Sequence, residues 1–266
     1  MRLFLFWLLR GGVVFCLAGG LGTSKAHAGA FLQPPGEGQV IASVRFVRAD
    51  AGFDAGGRLK TGSFYSKSEI QAYAEYGLRD WMTIVFSPSI LHLHVQNALP
   101  AGYSGVGDSE LAARVRLLAY GPAVISLQAG GVARGDMLGF GHRGLTGKAG
   151  VQGDVRLLAG AGFDCGGWQC FADAQIGYRP AAAGAPREIR ADLTFGARPV
   201  PNVLVMVQGF SSFAPGVVRA QSHKLQVSAV YDFSKRFSFQ LGVFASILGR
   251  NAPRERGIIS AVWVRF

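Results

Sequence analysis

The sequence predicts an all-β fold: an antiparallel transmembrane β-barrel of about 12 strands, with short periplasmic turns and longer extracellular loops. Three observations predict it. Hydrophobicity alternates with period two along the chain, the connections alternate short and long, and the N-terminus reads as an export signal. Composition removes the competing classes. Hydrophobic residues make up 49% of the 266 and charged residues 16%, too apolar for a disordered chain. The 38 glycines follow no three-residue period, which excludes collagen. Past the N-terminus no stretch approaches the roughly 18 consecutive apolar residues of a spanning helix.

Residues 1–28 read as a cleaved secretory signal peptide. Arg2 supplies positive charge, Leu3 to Leu9 form an apolar run, and Ala26-His27-Ala28 has the small-x-small form of a cleavage site. Arg10 and the glycines after it argue against an anchoring helix, and Phe15 before Cys16 does not fit a lipoprotein signal. The mature chain then starts at Gly29, and residues 29–266 form a single barrel domain. Cleavage removes Arg2, Arg10 and Lys25 and no acid, taking the formal charge from +11 to +8. Cys165 and Cys170 remain, and in an exported chain a C-x4-C pair across a tight turn reads as a disulfide. A metal site is not expected there, because structural zinc wants four ligands.

The strands follow from alternation, since successive side chains on a strand point to opposite faces. In 188–198, Glu188, Arg190, Asp192, Thr194, Gly196 and Arg198 oppose Ile189, Ala191, Leu193, Phe195 and Ala197. In 68–78, Glu69, Gln71, Tyr73, Glu75 and Gly77 oppose Ile70, Ala72, Ala74, Tyr76 and Leu78. Segments 110–119 and 224–233 alternate in the same way. The template gives strands at 39–47, 68–78, 81–95, 108–120, 123–133, 149–161, 170–179, 188–198, 203–212, 222–233, 237–248 and 256–266. Pro88 falls inside the third, where a bulge would reconcile Met82, Ile84 and Phe86 with Leu91, Leu93 and Val95 on the other parity.

Short turns fall at 79–80, 121–122, 165–170, 199–202 and 234–236. Longer loops fall at 48–67, 96–107, 134–148, 180–187, 213–221 and 249–255. That is the plan of an outer-membrane barrel. Closure with an even strand count leaves no edge unpaired in lipid. The chain ends Val262-Trp-Val-Arg-Phe266, and a terminal aromatic resembles the signal such barrels present to their insertion machinery. Tyr76, Trp81, Tyr120, Tyr178, Tyr231, Phe233 and Phe237 read as an interfacial girdle at the short-turn ends. A soluble β-sandwich or lipocalin-like barrel would alternate too, with its faces reversed. The signal, Phe266 and the two classes of connection favour the membrane barrel.

On that reading the polar faces line the lumen. They carry Arg45, Arg114, Arg116, Arg156, Arg179, Arg190, Arg198, Lys224 and Arg265 against Glu69, Glu75, Glu110, Asp154, Asp173, Glu188, Asp192 and Asp232. The near balance predicts ion pairs crossing a narrow interior, or a weakly selective pore. The positive excess sits in the long loops, in Arg48, Arg58, Lys60, Lys67, Arg134, Arg143, Lys148, Arg187, Arg219, Arg250, Arg254 and Arg256. The loop acids are Asp50, Asp54, Asp108, Asp136 and Glu255. Such loops suit outer-membrane lipid and the phosphates of lipopolysaccharide, or else steer an acidic solute or polysaccharide. No basic cluster interleaves with aromatics, so nucleic acid is not an expected partner. Loop 134–148, rich in Gly, is the candidate for folding inward as a plug.

His92 and His94 share a strand face, but no nearby carboxylate or Cys completes a metal site, so they read as polar strand residues. No Gly-x-Ser-x-Gly elbow, Walker or dinucleotide fingerprint is present. The sequence predicts neither an enzyme nor a cofactor.

Three segments carry a resemblance: Gly29-Ala-Phe-Leu-Gln-Pro-Pro-Gly-Glu-Gly-Gln-Val40, Phe53-Asp-Ala-Gly-Gly-Arg-Leu59, and Ser68-Glu-Ile-Gln-Ala-Tyr-Ala-Glu-Tyr-Gly-Leu-Arg-Asp-Trp-Met-Thr-Ile84. Together they resemble the start of the XagA-like exported bacterial proteins. The overall plan is similar to the outer-membrane barrel family linked to the meta pathway of phenol degradation. The resemblance implies a barrel that is either a channel for small compounds or a companion of exopolysaccharide and biofilm systems, and it supplies no catalytic motif. Two functions follow: a narrow passive channel for small solutes, or a non-transporting envelope component whose basic loops bind anionic glycans.

Overall fold

The computed structural model describes residues 29–96, 102–134, 150–182, 186–216 and 219–266. The predicted signal at 1–28 and most of loop 134–148, with Arg143 and Lys148, lie outside the described residues, as does the side chain of Arg134. The strands are β1 (Gly38–Phe53), β2 (Leu59–Arg79), β3 (Met82–Ser87), β4 (Ser89–Val95), β5 (Gly102–Val106), β6 (Ser109–Tyr120) and β7 (Ala123–Arg134). They continue as β8 (Gly150–Asp164), β9 (Gln169–Arg179), β10 (Glu188–Val200), β11 (Val203–Ala214), β12 (Ala220–Asp232), β13 (Phe237–Arg250) and β14 (Ala252–Arg265).

Each strand pairs antiparallel with its neighbours. β1 pairs with both β2 and β14, which closes the sheet on itself. β3 and β4 both pair with β2 and together make one stave; β5 and β6 make the next. The wall therefore has twelve staves, as the periodicity predicts. Gly38 and Phe266 exchange backbone hydrogen bonds of 2.8 and 3.0 Å and carry the closing ladder to the end of the chain.

Closure also settles which face is inside. Leu193 is 62% exposed, Leu111 59% and Val243 59%, whereas Arg114, Gln128 and Asp154 are 1–2% exposed. Apolar side chains cover the outer wall and polar ones the interior, the reverse of a soluble barrel. A surface this apolar is stable only where lipid is the solvent. Trp81, Tyr120, Phe233 and Phe237 are exposed at the short-turn end, and the Tyr231 and Phe233 rings meet edge to face at 4.9 Å. Tyr178 sits at the opposite end, next to the last residue of β9, and so leaves the predicted short-turn girdle.

Three further expectations are corrected. First, no bulge occurs at Pro88. The β2 register runs from Ala74↔Phe86 to Gln71↔Ser89 without a shift. The extra residue lies on the neighbouring stave, where between Ser87↔Glu110 and Ile90↔Val106 two residues face three. Gly107 and Asp108 form that bulge, and Gly107 N–H donates to the Ser89 carbonyl at 2.9 Å. Parity is thus unbroken along β3 and β4: Ile90, His92 and His94 are the exposed set, and Leu91, Leu93 and Val95 lie on the other face. Second, a register shift between Arg116 and Leu118 leaves Leu117 and Leu118 both exposed on β6.

Third, two of the predicted long loops are hairpins. Residues 48–67 continue the ladder of β1 and β2 to Phe53↔Leu59, and 249–255 turns at Asn251. The Asp54 Oδ1 closes the first hairpin by accepting from the Gly56 and Arg58 N–H groups at 2.8 and 2.9 Å. The Arg58 N–H, with the Gly56 N–H and Lys60 behind it, holds this carboxyl below the usual carboxylate range. Beyond the lipid neither face needs to be apolar, so alternation fades while backbone pairing continues.

Leu193→Arg places a charge on the lipid face near the middle of β10. It should lower stability by about 2–4 kcal/mol in denaturant unfolding from liposomes, and Thr194→Arg on the inner face should cost much less.

Candidate functional site

The site is the lumen. Inward side chains of β2, β6, β7, β8 and β9 form one continuous network. Arg114 on β6 and Glu75 on β2, 2% and 4% exposed, pair at 2.7 Å across the intervening β3. Arg114 also donates to the Gln128 Oε1 at 2.9 and 3.0 Å and to the Tyr73 hydroxyl at 2.9 Å. Glu75 accepts from the Tyr73 hydroxyl at 2.6 Å, from Gln33 at 2.8 Å and from Gln39 at 3.1 Å. Such saturation is what a buried ion pair needs, because removal from water otherwise costs more than the pairing returns. The network continues from Gln128 to Glu110 at 2.7 Å and from Glu110 to Arg156 at 2.6 Å. Arg156 meets Asp154 at 2.6 Å, and Arg179 meets the same carboxylate at 2.5 Å.

A second group lies toward the long-loop end. Arg45 pairs with Glu69 at 3.3 Å and donates to the Gln71 amide oxygen at 2.7 Å. Lys224, Lys67 and the Tyr65 hydroxyl converge on Glu255. Lys67 and Glu255 thus belong to the lumen and not to the outer loops. At the short-turn end Arg198 pairs with Asp232 at 2.7 Å, and Arg265 donates to Ser238 at 2.8 Å. Arg116 is exposed at this rim, where it donates to the Asp80 carbonyl at 2.6 Å, and does not line the pore. Arg190 and Asp192 approach only to 4.0 Å.

The expected pairs crossing the lumen are replaced by pairs along the wall, within a strand, between adjacent staves or between next-but-one staves. What crosses the lumen is the chain ahead of β1. The Ala30 N–H donates to the Asp173 carboxylate on β9 at 2.6 Å, and Ser126 on β7 donates to the Ala30 carbonyl at 2.6 Å. Arg114 donates to the Phe31 carbonyl at 3.2 Å. The Gln33 N–H donates to the Thr83 hydroxyl on β3 at 3.0 Å, while its side chain holds Glu75 on β2. Residues 30–33 are therefore tied to five staves, with Ala30 fully buried and Leu32 and Gln33 nearly so.

Two inward glycines make room. A Cβ on Gly77 would lie 2.0 Å from the Pro34 carbonyl oxygen, and one on Gly160 would lie 2.9 Å from the Phe31 ring. On the facing wall Phe171, Leu204, Met206, Val230, Ala261 and Trp263 form an inward apolar cluster, with Ile41 packed against it.

Sequence reasoning placed Glu75, Arg114, Glu110, Asp154, Arg156, Glu69 and Lys224 on the inner face, where they are. The alternation also puts Tyr73 on that face, but counting charges does not reveal the uncharged partners Gln33, Thr83, Ser126 and Gln128. Glutamines at inward parity were the available signal. Cys165 and Cys170 are joined in the β8–β9 turn with Cα atoms 6.0 Å apart. Arg187, Arg219, Arg250 and Arg254 are exposed at the long-loop end, the last two within strands. Among the described residues no group of three or more His, Cys, Asp or Glu could hold a metal.

No family model matches the chain, and no curated protein matches it in sequence. Solved structures do match in fold. An outer membrane channel from Pseudomonas putida F1 superposes with a TM-score of 0.65 at 14% identity, over 93% of this chain and 100% of that one. The protein has the fold of an outer-membrane β-barrel. The translocator domain of the autotransporter NalP from Neisseria meningitidis matches at 0.51 and 10% identity, over 88% of this chain and 90% of that domain. The β domain of the Bordetella autotransporter BrkA gives 0.53 at 10% identity, over 87% and 100%. These likenesses are of fold and do not bear on the XagA-like resemblance.

Arg114→Ala should strand the Glu75 carboxylate in the wall and cost about 3–5 kcal/mol in denaturant unfolding. The double change Arg114→Met with Glu75→Leu, which removes both charges, should cost distinctly less.

Proposed function

We propose that this barrel is a narrow channel for small solutes whose periplasmic end is closed by its own residues 29–35. The single observation that carries this reading is the Ala30–Gln33 segment bonded across the interior of a closed barrel to five staves. A purely structural barrel gains little from such a device, since side chains alone can fill a narrow lumen. The superposition with an outer membrane channel supports the same reading. The XagA-like resemblance covers residues 29–84, which include this closing segment and the two strands that begin the wall. We read it as a likeness of the closure, with a role in exopolysaccharide systems as its finer form.

The outer part of the lumen supports a preference among solutes. Arg45, Lys67 and Lys224 are 33%, 25% and 34% exposed, whereas their partners Glu69 and Glu255 are 15% and 8% exposed. The vestibule therefore turns its cations to the solvent and its carboxylates to the wall. Such a surface concentrates small anions.

In a planar bilayer the wild-type barrel should pass small or rare currents. A chain with Phe31→Gly and Gln33→Gly, or one lacking residues 29–35, should show several-fold larger steps while remaining heat-modifiable on a gel. Equal currents from all three would refute the closure. Lys67→Gln with Lys224→Gln should move the reversal potential in a salt gradient toward cation preference, and an unmoved potential would remove the anion-concentrating vestibule.

A further inference from the structure

The outer wall at the long-loop end carries an ordered polar row that neither the lumen nor the loops account for. The strand registers place Arg256 beside Arg48, Arg48 beside Ser66, Ser66 beside His94, and His94 beside Gly102. One step toward the membrane the row reads Ile258, Phe46, Ser68, His92 and Ser104. One further step gives Ser260, Val44, Ile70, Ile90 and Val106, apolar but for Ser260. The change from hydrocarbon to headgroup level thus falls within these rows.

Two concavities meet at Phe46. One, of about 660 Å³, is walled by Leu225, Val227, Val243, Ala245 and Ile258 and has Arg48 and Arg256 at its rim. The other, of about 770 Å³, runs below Ser66 and His94 and includes His92 and Ser104. Arg48 is exposed and has no carboxylate within ion-pair distance among the described residues, while Arg256 pairs with Asp50. Two adjacent arginines with one acid between them leave net positive charge at headgroup level. Beneath them lies a groove of aliphatic side chains.

We propose that this face is a binding site for one lipopolysaccharide molecule, with a lipid A phosphate on Arg48 and Arg256 and an acyl chain in the groove below. Guanidinium groups match phosphate oxygens in charge and geometry. The hydroxyls of Ser66 and Ser68 beside them can donate to the same headgroup. The position at the long-loop end selects the outer-leaflet lipid, and the groove selects an acylated ligand over a free phosphate or a soluble glycan. Arg48 and Arg256, expected in the long loops, stand within β1 and β14 on the wall, apart from the arginines Arg187 and Arg219 of the connections.

The test is native mass spectrometry of the folded full chain in detergent, titrated with bisphosphorylated lipid A, with dephosphorylated lipid A and with phosphatidylglycerol. One bisphosphorylated lipid A should bind in preference to the other two. Arg48→Ser with Arg256→Ser should weaken it at least about tenfold, as the loss of one or two charge-assisted pairs predicts. Ala245→Phe should also weaken it by narrowing the groove, whereas Arg187→Ser with Arg250→Ser should not. Each variant is first shown to be heat-modifiable. Equal binding by the Arg48/Arg256 variant, or by either comparison lipid, would overturn the proposal.

Discussion

Hydrocarbon offers no hydrogen bonds, and that absence dictates the rest of this structure. Each N–H and C=O group in the lipid band must find its partner within the protein. A sheet meets that condition only by closing, so β1 must receive β14. The pairing of Gly38 with Phe266 carries closure to the last residue. Pro88, which has no N–H, turns toward β2, where its carbonyl still accepts from the Ala72 N–H at 3.1 Å, and the neighbouring stave bulges beside it at Gly107 and Asp108. The Ser89 carbonyl and the Ser109 hydroxyl reconnect the two staves there.

Once the ring is closed, a second constraint follows. Turning the apolar face outward forces polar side chains into an interior too narrow to be filled with water along its whole length. The chain meets this in two ways. Charges pair along the wall, often reaching over one intervening stave, so that the Arg114–Glu75 pair passes the small Thr83 of β3. The backbone of residues 30–33 then supplies donors and acceptors that side chains alone do not. Gly77 and Gly160 are where the wall recedes to receive it, and the apolar cluster around Trp263 fills the facing wall, with the Arg265 guanidinium over the Trp263 ring. The bonds that hold the segment also satisfy the wall, and loosening it exposes the buried carboxylates of Glu75 and Asp173.

The outer surface obeys the same solvent logic in layers. Aliphatic rows give way to Ser, His and Arg over two steps of the strand, because each step rises toward the headgroups. Beyond that level the β1–β2 and β13–β14 hairpins stand clear of lipid and are held by backbone pairing and by turn residues such as Asp54 and Asn251. Strands that outrun their own hydrophobic pattern are the reason the connections at 48–67 and 249–255 read as loops.

Alternation is a local property, and the sequence by itself determined what alternation can determine. It set the twelve staves and the parity of most of them, and hence that Glu75, Arg114, Asp154 and Leu193 could not exchange faces. It did not determine which face is inside, because both a soluble and a membrane barrel alternate. Nor did it determine partners: Ala30 and Asp173 are 143 residues apart, and nothing near either residue announces the other. Glu255 and Lys67 looked like loop charges until closure brought β14 and β2 to either side of β1. Faces are written along the strand, but neighbours two staves away, and the segment that crosses between them, exist only after the ring has closed.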